Sequence, residues 1–297
     1  NGVFTPDTDP AYVDLVLGSS DGPARARFNS EYRWDPIMTA LNNGGGAQGD
    51  SLELTWSIIP DGTPMPAAAA WDTACNSNLI ATFDAEFGAG NWQDEFQRVW
   101  DDWTDTTGNV YTPAVALDGD NTPIDDGAAW PSSPGVAGVR GDVRIGGCTI
   151  DGNSGTLAYN YYPVGSVAGD MKIDAVDSFY AYTTLSPGLH NVFSHEHGHG
   201  IGLGHVCPTN QTKLLEPYIS TAYTGLQHDD IRGIHRGYGD RFEVINNPND
   251  NNGAATLLAP VGGQVEAELS LDSTTDEDWF KFTGMVDGAL NVTVSPV

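Results

Sequence analysis

The 297-residue sequence predicts a mixed α/β (α+β) fold, on three observations. Short runs with period-two alternation recur through the chain, a helical stripe of aromatic residues lies among them, and the texture changes to strand-like segments after a polar linker. SLELTWSII (51–59) alternates apolar and polar residues and is closed by the turn-forming Pro60-Asp61-Gly62, so it reads as a strand. In WQDEFQRVWDDW (92–103), Phe96, Val99, Trp100 and Trp103 recur at three- and four-residue steps, which is the buried stripe of an amphipathic helix. VRGDVRI (139–145) and TLAYNYY (156–162) read as strands joined by the glycine-rich GGCTIDGNSG. Ser186-Pro187 marks a helix start, and Leu189, Val192 and Phe193 supply its apolar face as it runs into His195.

Composition divides the chain into three parts. Residues 1–50 are rich in Gly, Asn, Pro and Asp and read as an irregular extension around one apolar stretch, YVDLVL. Residues 51–241 carry the strand and helix patterns of one domain. NNPNDNNG is a polar linker, and VEAELSLD, DWFKFTG and ALNVTVSPV then predict a β-rich module over 245–297, a small β-sandwich that is incomplete at Val297.

With 12 Lys and Arg against 40 Asp and Glu, the net charge of −28 repels nucleic acid and anionic lipid and suits protein or peptide partners and divalent cations. No run has transmembrane length, so membrane insertion is not expected, and the chain reads as an extracellular monomer. The opening Asn-Gly-Val lacks the basic and apolar regions of a leader, which is therefore expected to have been removed. Cys75, Cys148 and Cys207 allow one disulfide, and spacing alone does not say which pair forms it.

The densest chemistry lies in HEHGHGIGLGH, where His195, Glu196, His199, Gly202 and His205 fit H-E-x-x-H-x-x-G-x-x-H. Helix positions i and i+4 share a face, so His195 and His199 can direct two imidazoles at one metal ion. Glu196 is then placed beside the ion, as a base for water. Gly202 supplies the left-handed conformation that turns the chain back and brings in His205 as third ligand. Gly198 and Gly200 are costly inside a helix, so bound metal is expected to help hold it. His190, His197, His228 and His235 fall outside the motif, and His197 faces away from the ion.

These residues resemble the metzincin zinc endopeptidases, and among them the matrixins, in a secreted bacterial type. KLLEPYIS (213–220) is similar to the Met-turn and the wall segment after it. LQHDDIRGIHRGYG (226–239) is similar to the last helix of that domain, and IDGNSGTLAYNYYP with GDMKIDAVD (169–177) to its calcium loop, substrate strand and Asp-bearing segment. The resemblance spans about 51–240. It implies a twisted, mostly parallel sheet with a zinc helix and a C-terminal helix divided by a catalytic cleft. The module after 245 is similar to bacterial pre-peptidase C-terminal domains.

The resemblance further implies one catalytic zinc on His195, His199 and His205, with Glu196 as general base. It implies at least one calcium on Asp151, Gly152, Ser154, Thr156, Asp174 and Asp177. An extended substrate is expected to pair with an edge strand including Leu157, Ala158 and Tyr159, and to meet a wall formed by Pro217, Tyr218 and Ile219. The Met-turn methionine falls on Leu215, an apolar floor. Val206 departs from the Ser or Thr usual after the third histidine. The ligand positions of a second, structural zinc fall on Arg144, Gly146, Tyr159 and Lys172, which do not suit one. The expected activity is secreted, zinc-dependent peptide hydrolysis; the alternatives are a non-catalytic adhesion or binding protein on this scaffold and another metzincin branch.

Overall fold

The computed structural model describes residues 2–17, 29–30, 32–206, 210–259, 269–271, 276–282 and 293. The N-terminal part contributes β1 (Gly2–Phe4), α1 (Pro10–Leu17) and β2 (Asn29–Ser30). The central part then runs β3 (Glu53–Ile58), β4 (Pro64–Met65), β5 (Cys75–Asn76), α2 (Leu79–Phe87), α3 (Asn91–Thr106), β6 (Val110–Pro113), β7 (Val143–Cys148), β8 (Thr156–Asn160) and β9 (Met171–Asp174). It closes with α4 (Ser178–Tyr182), α5 (His190–Gly200), β10 (Leu203–Gly204) and α6 (His228–Tyr238). Two short strands, β11 (Thr256–Leu257) and β12 (Phe280–Lys281), follow.

Six strands form one sheet in the order β1-β8-β9-β7-β3-β6. β6, β3, β7 and β9 are parallel neighbours, β8 is antiparallel to β9, and β1 is antiparallel to β8. This is the mostly parallel sheet expected. Parallel strands covered by helices are buried on both faces, and β7, β8 and β9 are buried at every position.

The aromatic stripe of α3 does what its spacing predicts. Trp92, Phe96, Val99, Trp100 and Trp103 are all fully buried. Phe96 stacks on Phe193 at 3.9 Å, which ties α3 to α5, and Trp100 stacks on Tyr111 at 4.8 Å, which ties it to the sheet. β7 begins at Val143, later than expected, because Val136 and Val139–Arg140 close a turn of their own. Ser186 is extended (φ −119°, ψ 132°), so winding starts after it and runs through a short π-turn into α5.

The described residues among the first fifty are built into this domain. YVDLVL, the apolar stretch of the expected irregular extension, lies in helix α1. β2 pairs with β10, and the buried Trp34 donates its indole N–H to the Gly200 carbonyl at 2.8 Å. Of the C-terminal module, the described residues show the parallel pair β11–β12; most of VEAELSLD and nearly all of ALNVTVSPV lie outside them. Phe242 and Phe280 meet edge to face at 5.2 Å, so the segment after 245 touches the end of the preceding domain.

Candidate metal centre and cleft

Helix α5 is buried along its whole length, and its far end carries His195, Glu196 and His199. Gly202, at φ +107°, turns the chain after it, and a Cβ there would lie 2.0 Å from the Tyr32 carbonyl oxygen, so glycine is required twice over. The turn brings His205 back. The three Nε2 atoms stand 3.0, 3.2 and 3.3 Å apart.

Hydrogen bonds on the opposite ring nitrogens assign the tautomers. His195 Nδ1 donates to the Leu214 carbonyl at 2.6 Å and His199 Nδ1 to the Leu203 carbonyl at 2.7 Å. Their Nε2 atoms then carry lone pairs that point together, an arrangement that repels unless a cation shares them. Burial favours the neutral rings: it lowers His195 to about 4, and burial, reinforced by the neighbouring histidines, takes His199 and His205 well below the usual imidazole range. Three neutral imidazoles converging in this way fit zinc. Zinc held there would supply Lewis acidity toward a peptide carbonyl and toward water.

The supporting turn is anchored from α6. The Asp230 carboxylate accepts the Leu214 and Leu215 N–H groups at 3.2 and 3.3 Å, and so holds the carbonyl that orients His195. Sequence reasoning missed this role, although an acid in the first turn of α6 was in view. Leu215 lies under the helix: a Cβ on Gly198 would stand 3.1 Å from its side chain, so the glycine admits the apolar floor. A Cβ on Gly200 would meet Asn160 Nδ2 at 2.7 Å. These close approaches account for glycines that helix propensity disfavours.

Glu196 is fully buried, and burial pushes its carboxyl up to about 8. Its Oε1 accepts the Val3 N–H at 2.9 Å, while Oε2 has no hydrogen-bond partner. His197 points into the core, with Nε2 2.9 Å from the Tyr111 hydroxyl.

The cleft departs from expectation in one respect. Leu157–Tyr159 was expected on an edge strand, but β8 has a neighbour on each side, because the chain's own N-terminus pairs with it as Gly2↔Tyr159, Val3↔Ala158 and Phe4↔Thr156. Across the cleft, Phe4 N–H donates to the Pro217 carbonyl and Ile219 N–H to the Phe4 carbonyl, both at 3.0 Å, with Tyr218 opposite Phe4. Backbone groups left unpaired on β8 and on residues 217–219 capture the nearest extended segment.

The acidic loop is organised by its own amides. Asp174 Oδ2 accepts the Ile150, Asp151 and Gly152 N–H groups at 2.9, 3.1 and 3.1 Å, and Asp177 Oδ2 accepts that of Ser154 at 3.0 Å. Asp151 accepts the Thr156 N–H and the Tyr12 hydroxyl. Asp174 Oδ1 and Thr156 Oγ1 are buried without a hydrogen-bond partner, two oxygens that suit a hard cation.

Around the second-zinc positions the side chains engage one another instead. Arg144 pairs with Asp125 at 2.7 Å, and Asp72 accepts from Lys172 at 2.6 Å and from the Tyr159 hydroxyl at 2.9 Å. A Cys75–Cys148 disulfide fastens β5 to β7. Cys75 is thus committed to a disulfide, and Cys207 lies outside the described residues.

Fold and site together bring a histidine triad and an adjacent carboxylate beside a strand that pairs with an extended segment of the chain. Residues 140–239 match the Matrixin family model. The chain is 25% identical over 225 residues to an interstitial collagenase of Bos taurus, covering 73% of this chain and 42% of that protein. It is 26% identical over 231 residues to a hatching enzyme of Paracentrotus lividus, covering 75% and 36%. Over 105 residues it is 36% identical to an interstitial collagenase of Sus scrofa, covering 35% and 22%. The chain therefore spans less than half the length of these relatives. The matches support a metzincin of the matrixin family and a zinc metalloendopeptidase, a hydrolase of peptide bonds.

Proposed function

We propose that the protein is a secreted, zinc-dependent endopeptidase acting on extracellular proteins or peptides. The observation that carries the reading is the meeting of three imidazole Nε2 atoms within 3.3 Å of one another, with a buried carboxylate on the residue after the first of them. His195, His199 and His205 would hold the zinc. Glu196 would take a proton from the attacking water and return it to the leaving nitrogen, the exchange a general base performs without a covalent intermediate on the protein.

Substrate would lie extended between Leu157–Tyr159 and Pro217–Ile219, taking the backbone donors and acceptors that pair with Gly2–Phe4 in this structure. Leu215 would serve as the apolar floor. Calcium at Asp151, Asp174 and Asp177, with the backbone of Gly152, Ser154 and Thr156, would brace the loop leading into β8. The disulfide agrees with an oxidising compartment, and no helix among the described residues is long and apolar enough to cross a membrane.

The test is incubation of the full chain with a mixed peptide library, with zinc or with a chelator, followed by mass spectrometry of the products. Cleavage at internal bonds that the chelator abolishes and zinc restores is the expected result. Binding without cleavage in either condition would replace this reading with that of a non-catalytic binding scaffold.

A further inference from the structure

The N-terminal strand is seated in the cleft as a substrate would be, an inference that rests on the peptidase reading above. The Gly2–Val3 peptide unit meets the site through its N–H. Val3 N–H donates to Glu196 Oε1 at 2.9 Å. Beyond this unit the strand is held from both sides: Phe4 exchanges two backbone hydrogen bonds with Pro217 and Ile219, and Thr5 N–H donates to the Gly155 carbonyl at 3.2 Å.

The side chains obey the same register. Val3 is fully buried and belongs to the core cluster that also holds Leu157, Leu214 and Leu215. At Gly2 a Cβ would stand 2.6 Å from the Ala158 carbonyl oxygen, so only glycine passes there without displacing β8. A strand that merely completed the sheet would need its bonds to β8, but not an unsubstituted peptide N–H delivered to a buried base.

We propose that Gly2–Val3 is a self-processing site, a peptide bond of this chain that its own cleft hydrolyses. The C–N bond breaks as water adds across it: hydroxyl joins the Gly2 carbonyl carbon, and the proton collected by Glu196 passes to the Val3 nitrogen. The products are a carboxylate on Gly2 and a new amino terminus at Val3. Until it is cut, the segment competes with other peptides for the cleft.

The experiment follows the full chain prepared in chelator and then given zinc. Intact mass and N-terminal sequencing report the chain's own terminus, and an added peptide mixture reports general activity. Hydrogen exchange on the zinc-free protein reports whether the Val3–Thr5 amides are protected. The expected result is protected amides, a new terminus at Val3 after zinc addition, none in Glu196→Gln, and at least tenfold slower processing with lost protection in Gly2→Val. Cleavage of added peptides while Gly2–Val3 stays intact would overturn the self-processing site and leave the peptidase reading standing. Unprotected Val3–Thr5 amides in the parent would overturn the seating of the strand. Protected amides with no hydrolysis of any peptide would overturn both readings.

Discussion

Lys172 Nζ lies 2.6 Å from Asp72 Oδ1, and both side chains are fully buried. Lys172 stands where the family resemblance puts a ligand of a second zinc, and the pair ties the segment between β4 and β5 to strand β9. Removing one partner strands the other charge in the interior. Lys172→Met is expected to destabilise the fold by about 3–5 kcal/mol, and Lys172→Met with Asp72→Leu to recover much of that loss. Urea unfolding of the two variants and the parent checks it.

The Cys75–Cys148 bridge closes a segment of 73 residues. On the chain-entropy account a loop of that length is worth about 4 kcal/mol through the unfolded state. Replacing both cysteines by alanine should therefore lower the urea midpoint in non-reducing buffer, and reductant should move the parent toward the variant. Equal midpoints with and without the bridge would show that β4 and β5 hold this region unaided.

At Gly202, φ is +107° and a Cβ would lie 2.0 Å from the Tyr32 carbonyl. Gly202→Ala must both strain the backbone and push β2 away from β10. A loss of at least about 2 kcal/mol is expected, with weaker zinc retention because His205 is misplaced. Thermal unfolding and zinc content after dialysis would report the two effects separately.

On the proposed mechanism, Glu196→Gln removes the base and leaves all three histidines. Peptide turnover should fall by about 10²–10⁴-fold, the range for loss of a general base, with zinc content unchanged. Turnover within tenfold of the parent would remove Glu196 from its assigned role.

His190, at the start of α5, is buried with Nδ1 2.9 Å from Glu95 and Nε2 3.1 Å from Asp102; Glu95 also pairs with Arg98. Burial opposes its charge, but the hydrogen bonds to Asp102 and Glu95 outweigh it and raise the imidazole to about 9. The folded value exceeds the unfolded one near ~6.5, so this contribution is whole below pH ~6.5 and is lost as pH rises through about 9. His190→Gln should flatten the decline in stability between pH 7 and pH 9.5, measured as urea midpoints. A decline as steep as the parent's would assign it to other groups.

Local pattern was enough wherever one period or one spacing governs the outcome. The three- and four-residue steps of Phe96, Val99, Trp100 and Trp103 mark a buried helix face, because only that geometry collects them on one side. The spacing from His195 to His205 shows that three imidazoles can meet, since one helical turn and one glycine reversal are properties of adjacent residues. The mostly parallel sheet and the helix ending at Tyr238 were legible through the family resemblance.

The rest depended on contacts between residues far apart in the chain, to which a local pattern is blind. The pairing of Cys75 with Cys148, the hold of Asp230 on Leu214 and Leu215, and the buried pairs of Arg144 and Lys172 each join separate segments. Residues 2–17 read as irregular because their partners, Thr156–Tyr159, Asp151 and Pro217–Ile219, lie more than 130 positions away. An isolated three-residue strand has no stability of its own. The sequence alone determined that a zinc-type histidine triad and its neighbouring carboxylate could form; only the tertiary structure decided that Gly2–Phe4 would lie against them, because a strand's hydrogen bonds are supplied by whatever edge the folded chain leaves open.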